Sequence, residues 1–196
     1  PRLESIVTLS ALAAHTSTVT LGTICLASFP LRDPILLAIQ WASLDVLSGG
    51  RTILAVCNGA SELDGPQFAH ELEVMGVKSN QRVGRVIEGI RILRRLWSEE
   101  QVTHQGKYFQ FDDVECLPKP VQKPHPPIWL PGVVSRDSLI WAAQKRIPYI
   151  MLATEMEPTR QAFQLYHDTA AEHGYESGTQ NIGYLWKVHV DETEEL

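Results

Sequence analysis

Two short stretches of this sequence place reactive or polar side chains directly after an apolar, strand-like segment. Cys57 ends one such segment and precedes a glycine-containing turn, so its thiol would either lie in the core or face a ligand. In the second stretch, from Gly132 to Ser138, backbone N–H groups and the hydroxyls of Ser135 and Ser138 could bind an anion without Arg or Lys. Ser135 could equally serve as a helix N-cap alone, and the residues leave both pairs of alternatives open.

No general catalytic or metal-binding motif accompanies these stretches. The sequence lacks a glycine-rich phosphate-binding loop, a Cys-x-x-Cys pair and a His-Glu-x-x-His motif. The three cysteines Cys25, Cys57 and Cys116 are odd in number and show no pairing spacing, so we predict reduced core thiols rather than disulfide partners. The histidines are scattered, and we predict surface positions without a catalytic role for His70, His104, His125, His167 and His173.

A strand–helix–strand unit must position the first stretch. Residues 18–26 are apolar and β-branched, as in a strand buried on both faces, and Asp33-Pro34 then opens a helix. Gly49-Gly50 ends that helix, and a second apolar strand follows. A crossover of this length is right-handed and joins parallel strands. Because ligands bind at the carboxyl ends of parallel strands, we expect a site at residues 24–28 and 57–61.

The remaining pattern predicts three more strands and a hairpin. The strands are predicted at residues 128–130, 148–152 and 182–190. Residues 102–111 indicate an antiparallel hairpin that turns at Gln105-Gly106. Five strands alternating with helices predict a parallel α/β sheet, and periodicity alone leaves an open sheet and part of a (β/α)₈ barrel as alternatives.

Two further segments could be mistaken for binding sites. Residues 118–127 contain five prolines, and we predict an extended, rigid approach to the third strand rather than a ligand for a proline-binding domain. The predicted helix that ends near Trp97 carries a row of arginines. We interpret this row as a solvated face with local ion pairs rather than an anion site: Arg82, Arg85, Arg91, Arg94 and Arg95.

Length, composition and charge narrow the possible classes of protein. The 196 residues are 44% hydrophobic and 20% charged, which predicts a single soluble domain over residues 1–196. The net charge of −6 argues against a nucleic-acid partner. No apolar run approaches the roughly 18 residues that span a bilayer, and no signal peptide is visible, so we expect a cytoplasmic protein. The chain begins at Pro1 rather than Met, and we expect a fragment or a processed product.

A series of short motifs resembles the bacterial luciferase-like flavin monooxygenase family, whose relatives include enzymes that use the deazaflavin F420. Each motif is weak alone, but their order and spacing are specific, and the resemblance extends over almost the whole chain. The motifs include Leu21-Gly-Thr-Ile-Cys25, Arg32-Asp-Pro34, Leu44-Asp-Val-Leu-Ser-Gly-Gly-Arg51, Ala55-Val-Cys-Asn-Gly59, Gly106-Lys-Tyr-Phe109, Pro118-Lys-Pro120 and Pro126-Pro-Ile128.

The resemblance implies a (β/α)₈ TIM-barrel fold, of which this chain would form a part, from the third to about the seventh strand, incomplete at both ends. A flavin would lie across the carboxyl ends of the strands. The family's features then imply a bulge with a cis peptide bond between Ile24 and Cys25 behind the flavin ring, and Cys57 near the reactive face of the ring. No residue matches the family's catalytic histidine, so the catalytic residues stay unknown.

Two departures from the family pattern concern the flavin phosphate. Asn58 stands where members that bind FMN often place an arginine, and Val133-Val134 resemble an insertion in the phosphate-binding turn. The cofactor-binding residues that the resemblance implies are Ile24, Cys25, Cys57, Asn58, Gly59, Gly132, Ser135 and Ser138.

The resemblance also implies a function. A flavin-dependent monooxygenase of this family would use reduced FMN, supplied by a separate flavin reductase, and O₂ to oxidise a small organic substrate. We expect a homo-oligomer without a nucleic-acid or membrane partner and without a metal. One alternative is an F420-dependent oxidoreductase that transfers hydride. The presence of Asn58 in place of the family's arginine favours this alternative. The other is a non-catalytic, shortened relative that still binds flavin, and it is favoured because the family's first two strands and its catalytic histidine have no match in this chain.

Overall fold

Helices and strands alternate along the chain in the computed structural model, which describes residues 3–59, 66–133, 135–152 and 155–186. Contacts divide the chain into two units, residues 1–128 and 129–196. The first unit contains α1 (Ser5–His15), β1 (Leu21–Leu26), α2 (Pro34–Ser48), β2 (Thr52–Val56), α3 (Pro66–Val74), α4 (Arg82–Ser98), β3 (Val102–Gln105) and β4 (Gln110–Val114). At the boundary lies β5 (Ile128–Gly132), followed by α5 (Arg136–Gln144), β6 (Tyr149–Leu152), α6 (Met156–Glu172) and β7 (Ile182–Leu185).

The predicted strand–helix–strand crossover is confirmed and consists of β1, α2 and β2. Asp33 caps α2, because its Oδ1 accepts a hydrogen bond of 2.8 Å from the Leu36 N–H, and Pro34 follows at the first helical position. Gly49 ends the helix in the left-handed conformation, with φ of 67°. The helix therefore begins and ends at residues whose types favour helix termini.

The two strands pair in parallel and bring their carboxyl ends to one edge. Leu21 lies opposite Thr52 and Thr23 opposite Leu54, and the register then shifts between Thr23 and Leu26. Such a shift is a β-bulge, which bends the strand and leaves ladder groups unpaired. The buried side chains of Leu21, Leu26 and Leu54 hold the pair against the core.

A buried carboxylate fixes the proline-rich segment to this crossover. Asp45 of α2 is fully buried, and its Oδ2 accepts hydrogen bonds from the backbone N–H groups of Val121 at 2.8 Å and Gln122 at 3.0 Å. Its Oδ1 accepts from the Thr52 hydroxyl at 2.6 Å. The prediction of a continuously extended segment is wrong, because two consecutive N–H groups converge on one oxygen and the chain bends repeatedly there.

The predicted hairpin is confirmed as β3 and β4, antiparallel, with Gly106 donating to the Phe109 carbonyl across the turn. Glu88 of α4 holds the hairpin, because its carboxylate accepts from the N–H groups of Tyr108 and Phe109 at 3.2 and 2.9 Å. His104 Nε2 lies 3.1 Å from the same carboxylate. His104 is buried, so its predicted surface position is wrong; it lies on the inward face of β3, where side chains alternate.

The second unit is again parallel. Leu130 of β5 lies opposite Tyr149 of β6, and Tyr149 lies opposite Ile182 of β7, as predicted for three successive strands. Tyr166 of α6 is fully buried, and its hydroxyl donates to the Ile147 carbonyl at 2.9 Å. The predicted continuation of the last strand over residues 187–190 lies outside the described residues.

Among the described helices, none has both the length and the apolar character that crossing a membrane requires.

Candidate functional site

The carboxyl ends of β1 and β2 bring five of the predicted cofactor-binding residues together in the first unit. Ile24 and Cys25 lie on the bulge, and both are exposed, Ile24 to 47%. Cys57, Asn58 and Gly59 follow β2 and are half-buried. The edge therefore presents an apolar side chain, sulfur atoms and turn backbone next to one another.

The prediction that all three cysteines are reduced is wrong for two of them. Cys25 and Cys57 form a disulfide, with their Cα atoms 5.9 Å apart. The parallel register places the end of β1 beside the end of β2, so residues separated by 32 positions meet there. Cys116 is a buried free thiol, as predicted, and burial raises the pKa of this thiol.

The predicted bulge is confirmed, but the predicted cis peptide bond is not. Within the described residues, the cis peptide bonds are Leu117–Pro118 and Lys123–Pro124, and the bond between Ile24 and Cys25 is trans. The shifted register between Thr23 and Leu26 therefore forms the bulge without a cis peptide bond at its centre.

Gly59 marks a close approach between the loops that follow the two strands. Its φ of 68° is left-handed, and a Cβ atom built there would lie 2.6 Å from the Ala27 carbonyl oxygen. Any side chain at this position would force the loop after β2 away from the loop after β1. The sequence predicts that Gly59 lies in a turn. The reason why it must lack a side chain is the nearby Ala27 carbonyl, which only the tertiary structure reveals.

Arg82 of α4 also holds this loop, a role that was not predicted from the sequence. Its guanidinium donates to the carbonyl oxygens of Asn58 at 3.1 Å and Gly59 at 2.9 Å. Arg85, one turn later, donates to the Pro30 carbonyl at 2.6 Å and lies 4.5 Å above the Phe109 ring. Burial lowers the pKa of Arg85, although nearby acidic groups oppose that shift.

The interpretation of the arginine row is therefore only partly right. Arg95 makes the predicted local ion pair with Glu99, at 2.8 Å, and Arg91 is exposed. Arg82 and Arg85 are instead half-buried and bind backbone carbonyls at the carboxyl ends of the strands. The helical spacing of the two residues was a visible signal, but the loops they contact are not adjacent in sequence.

A groove opens beside the end of β1. It encloses about 610 Å³ and lies between the start of α2 and one face of α3. Leu31 and Leu36 form part of one wall, and Val74 and Met75 part of the other. His70, exposed as predicted, also borders this groove.

In the second unit, three predicted residues lie where β5 leads into α5. Gly132 packs so closely that a Cβ atom there would collide with the Tyr149 hydroxyl, which donates to the Val133 carbonyl at 3.3 Å. Burial raises the pKa of Tyr149 to about 12, so this hydroxyl stays protonated at neutral pH.

Ser135 precedes the first residue of α5, but its side chain makes no capping hydrogen bond. Its hydroxyl instead donates to the Ser138 hydroxyl at 3.1 Å. Ser135 therefore occupies the N-cap position of α5, but its side chain does not cap the first N–H groups of the helix. Val134 lies outside the described residues.

Among the residues that are described, no three His, Cys, Asp or Glu side chains group closely enough to hold a metal ion.

Segments of this chain are similar in sequence to proteins of known function. A flavin-dependent trigonelline monooxygenase, oxygenase component, of Acinetobacter baylyi is 34% identical over 126 residues, which cover 64% of this chain and 32% of that protein. An F420-dependent glucose-6-phosphate dehydrogenase of Kineococcus radiotolerans is 34% identical over 122 residues, 61% of this chain and 34% of the relative. The matched segments therefore span about a third of the lengths of these relatives.

A solved structure extends the likeness to the fold. The crystal structure of monooxygenase RslO1 from Streptomyces bottropensis matches with a TM-score of 0.80 and 26% identity, covering 92% of this chain and 53% of that one. The match confirms the predicted α/β fold of the (β/α)₈ barrel type. The family model described as luciferase-like monooxygenase matches residues 2–196. The chain therefore belongs to the luciferase-like monooxygenase family.

Proposed function

We propose that this chain carries part of the cofactor site of a flavin-dependent monooxygenase that uses reduced FMN and O₂. The observation that supports this most strongly is the exposed bulge at Ile24 and Cys25. It lies beside Cys57 and Gly59, at the carboxyl ends of two parallel strands, where ligands bind in barrel folds. Membership of the family supports an oxidoreductase in general.

The residues at the end of β1 fit a flat, partly apolar ring. Ile24 exposes an apolar side chain, which a bound ring would remove from water. The bulge leaves backbone polar groups outside the regular ladder, where they could bond to the polar edge of a ring. Arg82 would act on the ring only through the loop, because its guanidinium already binds the Asn58 and Gly59 carbonyls.

The start of α5 fits a phosphate group. The hydroxyls of Ser135 and Ser138 lie 3.1 Å apart, and the helix that begins at Arg136 directs its first N–H groups toward the same end. The helix dipole favours an anion at this position without a positively charged side chain. Gly132 keeps the turn before the helix close to Tyr149.

Bound reduced FMN would supply the electrons and the reaction with O₂ that a monooxygenase needs. The described residues would bind and orient the cofactor and exclude water from it. We assign no catalytic acid or base. The Acinetobacter relative is named as an oxygenase component, which supports a separate flavin reductase as the source of reduced FMN. The substrate would be a small organic molecule.

A second candidate function is hydride transfer with F420. Asn58 replaces the arginine that members of the family that bind FMN often place against the phosphate, and the Kineococcus relative is named as F420-dependent. A third, non-catalytic candidate would bind flavin without supporting any oxidation.

Anaerobic fluorescence titrations with reduced FMN, oxidised FMN and F420 test these candidates. Micromolar binding of reduced FMN, together with oxidation of a bound substrate after O₂ is added, would support the monooxygenase. Binding of F420 alone would favour hydride transfer, and flavin binding without oxidation would favour the non-catalytic relative. The double variant Ser135→Ala/Ser138→Ala should weaken FMN binding about tenfold, through loss of two hydrogen bonds to phosphate. Ser98→Ala, at the end of α4, is the matched control and should bind FMN like the unmodified chain.

A further inference from the structure

We propose that Cys25 and Cys57 form a reversible redox site, at which a dithiol reductant opens the disulfide at the carboxyl ends of β1 and β2. The two residues belong to neighbouring parallel strands, and their Cα atoms are 5.9 Å apart. This distance is suitable for a disulfide, so the pair can close without a rearrangement of the backbone.

The position of the pair makes it accessible to a reductant. Cys25 is exposed and Cys57 is half-buried, so an attacking thiolate can reach the Cys25 sulfur from solvent. Cys116, in contrast, forms no disulfide and is fully buried. It therefore serves as an internal control, because the reductant should leave this thiol unchanged.

The strands do not depend on the bridge for their pairing. Leu21 and Thr23 pair with β2 in regular register, and Leu26 and Leu54 are buried in the core. The disulfide involves the bulge residue Cys25, which takes no part in these regular pairs. Opening it should therefore change the strand ends while the rest of the crossover keeps its packing.

The exchange balances as a two-electron step. A thiolate of the dithiol attacks the Cys25 sulfur, the bond between the two protein sulfurs breaks, and Cys57 leaves as a thiolate that takes up a proton. The second thiol of the reductant then attacks the mixed disulfide and releases Cys25. The protein gains two hydrogens, and the dithiol becomes a cyclic or intramolecular disulfide.

The consequence for cofactor binding rests on the proposed function. While the bridge is closed, Cys57 offers no thiol to a ring, and the bulge that carries Ile24 is tied to the end of β2. Reduction frees the Cys57 thiol and lets the bulge adjust to a bound ring. We therefore expect the reduced form to be the one that binds flavin, and the disulfide form to bind it weakly.

Thiol counts test the redox site without reference to any cofactor. After oxidation with diamide and removal of the reagent, the unmodified chain should show one free thiol on denaturation, Cys116. After native treatment with dithiothreitol it should show three. Cys116→Ala should show no free thiol after diamide and two after dithiothreitol. Cys25→Ser should show two free thiols after either treatment. Three free thiols after diamide, or one after dithiothreitol, would overturn the proposal.

Titration with oxidised FMN, which does not itself reduce a disulfide, tests the consequence. The dithiothreitol-treated chain should bind FMN about tenfold more tightly than the diamide-treated chain, and Cys116→Ala, which keeps both cysteines of the bridge, should show the same difference between the two treatments. Affinities equal within about twofold would overturn the link to cofactor binding. If no form binds FMN, the proposed function fails, and the thiol counts alone still decide the redox site.

Discussion

Arg82 donates a hydrogen bond of 2.9 Å to the carbonyl oxygen of Gly59, which fixes the first residue of α4 to the loop after β2. The same nitrogen donates to the Asn58 carbonyl at 3.1 Å. The two acceptors lie 23 and 24 residues before the arginine in sequence. α4, which contains none of the proposed cofactor-binding residues, thus holds the backbone of two of them.

Replacement of Arg82 by methionine should weaken FMN binding more than it weakens the fold. Methionine keeps most of the apolar stem but leaves the Asn58 and Gly59 carbonyls without this donor. We expect a five- to tenfold rise in the dissociation constant of FMN, and a loss of about 1 kcal/mol in the free energy of unfolding. Arg91→Met, on an exposed position of the same helix, is the control. Equal FMN affinities of the two variants would contradict the role of Arg82.

Alanine at Gly59 should destabilise the chain more than alanine at Gly49. Both glycines have left-handed φ, 68° and 67°, so both substitutions incur a backbone penalty of about 1 kcal/mol. Only at Gly59 would the added Cβ also collide with the Ala27 carbonyl, whereas nothing lies within 4 Å at Gly49. Urea unfolding should show a further loss of about 2 kcal/mol for Gly59→Ala. Similar losses for the two variants would show that the loop relaxes to accept the methyl group.

Asp45 should be among the most sensitive positions for stability. Alanine there would remove a fully buried carboxylate and leave the Val121 and Gln122 N–H groups without their acceptor. We expect Asp45→Ala to lower the free energy of unfolding by about 3–5 kcal/mol, measured by urea denaturation. Asp112→Ala, which removes an exposed carboxylate from β4, should cost less than about 0.5 kcal/mol. A small effect at Asp45 would mean that the proline-rich segment holds its position without this anchor.

The ion pair between Glu4 and Arg32 should give a small, acid-sensitive contribution to stability. Burial opposes ionisation of Glu4, but hydrogen bonds from the Val7 N–H and the Arg32 guanidinium leave its pKa below the usual value. A depressed pKa in the folded state stabilises the fold above the unfolded pKa, about 4.3, and that stability is lost as pH falls through the folded value.

Comparison of the unmodified chain with Glu4→Gln measures this contribution. Because both side chains of the pair are partly exposed to solvent, the difference in free energy of unfolding should not exceed about 1 kcal/mol at pH 6 and should vanish near pH 3. A difference that persists unchanged at the lower pH would have to come from helix capping rather than from the charge on Glu4.

Local signals in the sequence were sufficient for the elements whose causes are local. Asp33-Pro34 and Gly49 correctly mark the ends of α2, because caps depend on residues within about one turn. Gly106 correctly marks the hairpin turn. Apolar, β-branched runs identified the strands, and the crossover between the first two implied that they are parallel. The motifs, in their order, identified the family.

Several of the features that differ from prediction join residues that are distant in sequence. The disulfide joins positions 32 residues apart, Arg82 reaches back 23 residues to Gly59, and Asp45 holds a segment more than 70 residues away. No periodicity or turn signal carries such information, because these partners meet only after parallel pairing and helix packing have set the register. His104 shows the same dependence, since its buried side chain contacts Glu88 of α4, which lies 16 residues earlier in the chain.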